Sequence, residues 1–179
     1  MSEAYKAERE TVTFFDGLTV DGYRMPNGEF RVGVTGASEI LGYGRNWLGR
    51  VLSRGGNTLK ALQGIGFTEE IQKVVTNSGR PPETISLEDF NRLIVYGVMD
   101  RRPAALALQL SLTRLSLNDF FLDAFGEPPL SIEEKRRLFY ETYASTISPQ
   151  QWLDMDREEI LRLALPGDEE QNSDGLWNH

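Results

Sequence analysis

An α+β fold is what this chain predicts: a small N-terminal β-hairpin and helix domain, then an all-helical C-terminal domain. Three observations predict it. Strand-like segments around a strong turn dominate residues 10–35. From Ser86 onward the segments carry helical periodicity and helix caps. Between the two regimes, NSGRPPET gathers Gly79, Pro81 and Pro82, the composition of a linker. The boundaries expected are a flexible tail over 1–10, a hairpin plus helix-turn-helix-like domain over 11–77, a linker over 78–85, a helical domain over 86–165 and a disordered acidic tail over 166–179. A chain of 179 residues is long enough for one domain or two small ones.

Each element has a local reason. ETVTFF (10–15) and LTVDGYRM (18–25) have strand composition and are broken by Asp16-Gly17. At Pro26-Asn27-Gly28, Pro26 presets φ, Asn27 tolerates the second turn position and Gly28 can take φ > 0. Phe30, Val32 and Val34 then alternate with Arg31, Gly33 and Thr35, the period of a half-buried strand. Thr35 or Ser38 is expected to cap a first helix, with Glu39 near its N-terminus and Gly42-Tyr43-Gly44 at its end. Arg45–Arg54 is a second helix whose apolar face is Trp47, Leu48, Val51 and Leu52, stopped by Gly55-Gly56. LKALQGIGF reads as a short helix and turn, and IQKVVT as a strand returning to the hairpin sheet.

In the helical half, Ser86 with Asp89 is a capping-box-like start before the stripe Leu87, Phe90, Leu93, Ile94 and Val98. Pro103 opens AALALQLSLTRL, a well-buried helix by composition, and Asn118–Phe125 reads as a separate helix closed by Gly126. Ser131 and Glu134 form a capping box. Ser148-Pro149 and Asp156 with Glu159 mark two further helix starts.

Composition narrows the function. There is no cysteine, and the one histidine is His179, so cysteine nucleophiles, Cys-based zinc sites, disulfides and most histidine-dependent catalysis are excluded. Catalysis would need a carboxylate–metal or Ser/Lys arrangement, and Glu70 with Lys73 lacks the Glu-x-Lys spacing of a nuclease. The chain is therefore expected to be no enzyme, with no cofactor and no metal. No apolar run approaches a membrane span, and the polar MSEAYKAERE start is unlike a secretory signal, so a cytoplasmic protein is expected.

The net charge is −8, yet it is unevenly placed. Residues 1–85 balance to zero, and residues 86–179 carry the whole excess. Between Gly22 and Lys60 stand six bases and two acids. That basic island in an acidic chain is the pattern of a nucleic-acid footprint, although a local excess of four charges can also be plain fluctuation.

The leading candidates are Arg45, Asn46, Arg50 and Arg54. Arginine forks bind phosphate or guanine, asparagine can read adenine, and the start of a second helix is where recognition residues reach base edges. The competing reading is the solvated face of an amphipathic helix. Arg24 and Arg31 flank the hairpin turn and would contact phosphates if the ribbon lies along a groove, or else are ordinary exposed strand positions. Gly55-Gly56-Asn57 with Lys60 is a loop suited to lie beside a DNA backbone. Tyr43, between two glycines, could stack on a base or pack inward, whereas Trp47 belongs in the core. Arg101-Arg102 and Lys135-Arg136-Arg137 sit among acids and read as surface ion pairs.

Asp21-Gly22-Tyr23, Asn27-Gly28, Val34, the segment Ala37–Tyr43 (ASEILGY) and Trp47-Leu48 together resemble the Bro-N and KilA-N domains of phage and large-virus proteins. The likeness covers roughly residues 15–75, and it implies a small non-catalytic α+β domain that binds DNA or regulates transcription, as in phage antirepressors. The function expected is a DNA-binding regulatory protein, with duplex DNA as partner and a homodimer or protein contact through the helical half. The alternative is a non-catalytic interaction module whose acidic helical half binds a protein.

Overall fold

The hairpin turn forms as its residues dictate. Gly28 takes φ +87° and its N–H donates to Met25 O at 2.9 Å, while Asn27 Oδ1 accepts from Glu29 N at 2.9 Å. The turn joins β3 (Leu18–Arg24) to β4 (Phe30–Gly33), and β3 pairs antiparallel with β2 (Glu8–Phe15) across Asp16-Gly17. The computed structural model describes residues 5–77 and 79–147. In it these strands join β1 (Tyr5–Lys6), β5 (Gln72–Val75) and β6 (Glu83–Ser86) in one six-stranded sheet, ordered β1-β5-β6-β4-β3-β2. Among the described strands only the β1–β5 pair is parallel. The helices are α1 (Val34–Ile40), α2 (Trp47–Arg54), α3 (Asn57–Gly64), α4 (Leu87–Met99), α5 (Pro103–Ala124) and α6 (Ile132–Thr146). The fold is α+β, with strands concentrated in the first half and helices in the second.

The expected domain boundary does not hold. Glu83–Ser86, placed in a linker, is β6, hydrogen-bonded between β4 and β5 with Thr84 and Ile85 fully buried. The glycine and prolines of NSGRPPET therefore mark only the short β5–β6 loop. Nor are residues 5–10 part of a tail: β1 and the start of β2 lie there. The chain divides instead into Met1–Thr146 and Ile147–His179. The helix starts expected at Ser148 and Asp156, and the tail over 166–179, lie outside the described residues.

Three smaller corrections have local causes. Residues 118–124 continue α5, because nothing between Ala104 and Phe125 breaks the helix. α1 begins at Val34, two residues before a Thr35 cap and five before a Ser38 cap would allow, with Gly33 as N-cap and no side-chain cap. Ser38 is instead buried mid-helix and donates to Val34 O at 2.9 Å, and Glu39 lies in the last turn.

Packing ties the elements together. Ser86 Oγ caps α4 by accepting from Asp89 N at 3.0 Å. The Asp89 carboxylate does not complete a capping box. It is buried and accepts from Thr68 N at 2.9 Å and Thr68 Oγ1 at 2.7 Å, which fastens the segment after α3 to the start of α4. The Ser131–Glu134 capping box does close, with both reciprocal bonds, at 2.9 and 3.2 Å. α4 and α5 cross closely: a Cβ on Gly97 would stand 2.6 Å from the Ala105 Cβ. The tip of the β2–β3 hairpin packs on α6 through Phe14, Phe15, Phe139 and Tyr143, with ring centroids 5.3 Å apart for Phe14–Phe139 and for Phe15–Tyr143. Among the described residues no helix is long and apolar enough to cross a membrane.

Candidate nucleic-acid interface

The site is built on the α1–α2 corner. α1 closes with Gly42 at φ +84°, its N–H donating to Glu39 O at 3.0 Å while Tyr43 N–H donates to Ser38 O at 3.1 Å. This is the paired-bond helix ending that glycine favours. Leu48 N–H reaches Ser38 Oγ at 3.4 Å, so one buried hydroxyl links both helices. Leu48 is fully buried and Trp47 half-buried, which turns the opposite side of α2 to solvent.

That side carries Asn46, Gly49, Arg50 and Ser53, the spacing of one helical face. With Arg45 they form one wall of a groove of about 570 Å³. Its floor is the β4–α1 junction at Gly33–Gly36 together with Asp21 and Tyr23 of β3. Its far wall is Lys73 of β5 and the Arg80–Glu83 segment. Four bases (Arg45, Arg50, Lys73, Arg80) thus face two acids, Asp21 and Glu83. Asp21 is engaged by Arg9, with Nη2 at 2.9 Å from Oδ2. Arg45 lies 4.0 Å from Glu39, and both are well exposed, a pairing too loose to hold the guanidinium against a phosphate competitor.

The other candidates separate. Arg54 and Lys60 are exposed but do not line this groove. Arg24 is also exposed, on the far side of β3 from Asp21 and Tyr23, and is ion-paired with Glu8, its Nε donating at 3.1 Å.

Arg31 is not a contact residue. Its side chain is 1 % exposed and donates to Thr84 Oγ1 and Glu70 O at 2.9 Å, to Thr84 O at 3.1 Å and to Glu29 Oε1 at 2.9 Å. The expected alternation holds at Val32 and Val34, which are buried, but fails at Arg31, which is covered as well, and at Phe30, which is 57 % exposed. β4 is an inner strand, flanked by β3 and β6, so its polar side chain is covered and must satisfy its donors internally.

Tyr43 is not available to a base either. It is buried, its ring stacks on Trp47 at 3.8 Å between centroids, and the Arg102 guanidinium lies over it at 4.4 Å. Its hydroxyl donates to Asp100 Oδ2 at 2.6 Å. Burial first, and then the bond to Asp100, push this hydroxyl far above the usual tyrosine range.

Lys73 and Arg80 are the groove residues that sequence reasoning missed. Lys73 sits on a predicted strand and Arg80 in the expected linker, and the only signal in the sequence for either is its charge. Among the described residues no group of three or more His, Cys, Asp or Glu side chains is placed to hold a metal ion. Comparison with family models, with curated proteins and with solved structures finds no match for the chain.

Proposed function

We propose that this chain binds nucleic acid, in the first instance duplex DNA, through the groove lined by Arg45, Asn46, Arg50, Lys73 and Arg80, and acts as a non-catalytic regulatory protein of the cytoplasm. One observation carries the reading: in a chain of net charge −8, four bases from three separate segments converge on one groove against two acids. Such convergence concentrates positive potential where a phosphate backbone would lie. Arg45 and Arg50 present planar forks suited to phosphate or to a guanine edge, and Asn46, at the start of α2, has the amide that pairs with adenine. Gly49 leaves the wall between them free of side chain, so a backbone can approach α2 closely. Arg54, one turn beyond Arg50, extends the same face.

Fluorescence anisotropy with a random duplex tests this. With Arg54 added to the four groove bases, five phosphate contacts predict a log–log salt slope of about −4.5, or roughly 500-fold weaker binding between about 50 and 200 mM salt. Changing Arg45, Arg50 and Arg80 together to alanine should abolish binding, whereas Arg24→Ala should leave it intact. No binding at the lower salt, or a triple variant that binds like the parent, overturns the reading. A second reading, a module that binds only protein, is favoured by the phenylalanines that α5 exposes. Displacement of bound partner by duplex DNA separates the two.

A further inference from the structure

Helix α5 is apolar on two opposite faces, and the fold uses only one of them. Ala104, Ala105, Leu108 and Ser111 are buried, and Leu112, Leu115 and Leu122 continue that face half-buried. Opposite them run Leu106, Leu110, Thr113, Leu117, Phe120 and Ala124, separated by four, three, four, three and four residues, all exposed. This is the 3–4 spacing of a coiled-coil seam, and no charged residue interrupts it. Exposure rises along it, from 40 % at Leu106 and 56 % at Leu117 to 73 % at Phe120. Phe121 and Phe125, 64 % and 78 % exposed, widen its C-terminal end.

We propose that this seam is a homodimer interface, in which α5 of one chain packs against α5 of a second copy. Two features select a second copy over another occupant. A continuous 3–4 seam without charge is self-complementary, so a two-fold pairing lays leucine and phenylalanine against the same residues of the partner. The area also suits it. Three phenylalanine rings of roughly 200 Å² each, about seven-tenths exposed, leave on the order of 400 Å² at one end. With the leucines added, the seam runs for about 27 Å of helix from Leu106 to Ala124, towards the roughly 800 Å² per partner of a standard interface and beyond the patch an ordinary monomer shows. The inference is independent of the nucleic-acid reading.

Sedimentation equilibrium of the full chain between about 1 and 100 μM should give twice the 20.2 kDa chain mass. Leu117→Glu with Phe120→Glu should weaken association at least about a hundredfold, since each charge would be buried unpaired. The far-ultraviolet spectrum should not change, because both side chains are exposed in the monomer. The sequence has no cysteine, so Thr113→Cys provides a single handle at mid-seam, and a short bismaleimide should join two chains through it. A monomer throughout the concentration range overturns the proposal. So does a dimer that survives both glutamates, or one in which Thr113→Cys gives no cross-link. Binding of lipid vesicles or of an unrelated apolar helix by a strictly monomeric chain would assign the seam to another occupant and equally overturn it.

Discussion

Among the described residues Arg31 is the most completely satisfied cation, holding Thr84, Glu29 and the Glu70 carbonyl at once. Arg31→Met would take the donor from the buried Thr84 oxygens and from the part-buried Glu70 carbonyl, at a cost of about 2–4 kcal/mol. Urea unfolding measures this directly, and a change below about 0.5 kcal/mol would show that the network carries no stability. The same substitution would depress DNA binding by unfolding the chain, so binding losses at Arg31 need that control. Tyrosines give a second prediction at this scale. Burial raises the hydroxyl pKa of Tyr23, Tyr43 and Tyr143 above the ordinary value, so the folded state favours the neutral form. Their contribution is complete below about pH 10, where the unfolded chain still holds its phenolic protons, and is lost as pH rises through the folded-state values. Melting temperatures taken from pH 8 upward should fall beyond pH 10, together with late phenolate absorbance from three of the six tyrosines.

Among the elements, helix endings are the most instructive. α1, α3, α4 and α5 all close with the same two backbone bonds around a left-handed residue. Gly42, Gly66 and Gly126 fill that position in three of them, and each glycine is visible in the sequence. α4 places Arg101 there at φ +58°, where its Cβ crowds the backbone. Arg101→Gly should therefore stabilise the fold by about 0.5–1 kcal/mol, measured by urea midpoint, because Arg101 is exposed and makes no described side-chain bond. Destabilisation would mean that the arginine has a packing role. α5 lacks any such internal stop: without glycine or proline after Pro103 the helix runs on to Ala124, and composition alone does not decide which of its two apolar faces is covered.

The sheet makes Met1–Thr146 one molecule where the sequence suggested two domains. β6, from the supposed linker, separates β4 from β5, and α4 follows it without a break. A fragment of residues 1–77 would therefore expose the edges of both β4 and β5 and should not fold. Its amide spectrum should be that of an unfolded chain or an aggregate, and a dispersed, protected spectrum would restore the two-domain view. The basic groove depends on the same join, because Lys73 and Arg80 come to α2 only through β5, β6 and the loop between them.

Local chemistry decided what short stretches of chain can decide by themselves. The Asn27-Gly28 turn, the Gly42 helix ending, the Ser86 cap and the Ser131–Glu134 box each close through bonds spanning at most six residues. The α+β class follows from the same signals, since strand and helix periods are properties of neighbouring residues. Arg45, Asn46 and Arg50 were legible for that reason too, as one solvent face of one short helix. The Thr84 and Glu70 partners of Arg31, the Asp100 and Arg102 contacts of Tyr43, the place of β6 and the far wall of the groove all join residues tens of positions apart. Those pairings depend on which strand becomes central and which face another element covers, and only the tertiary structure sets that.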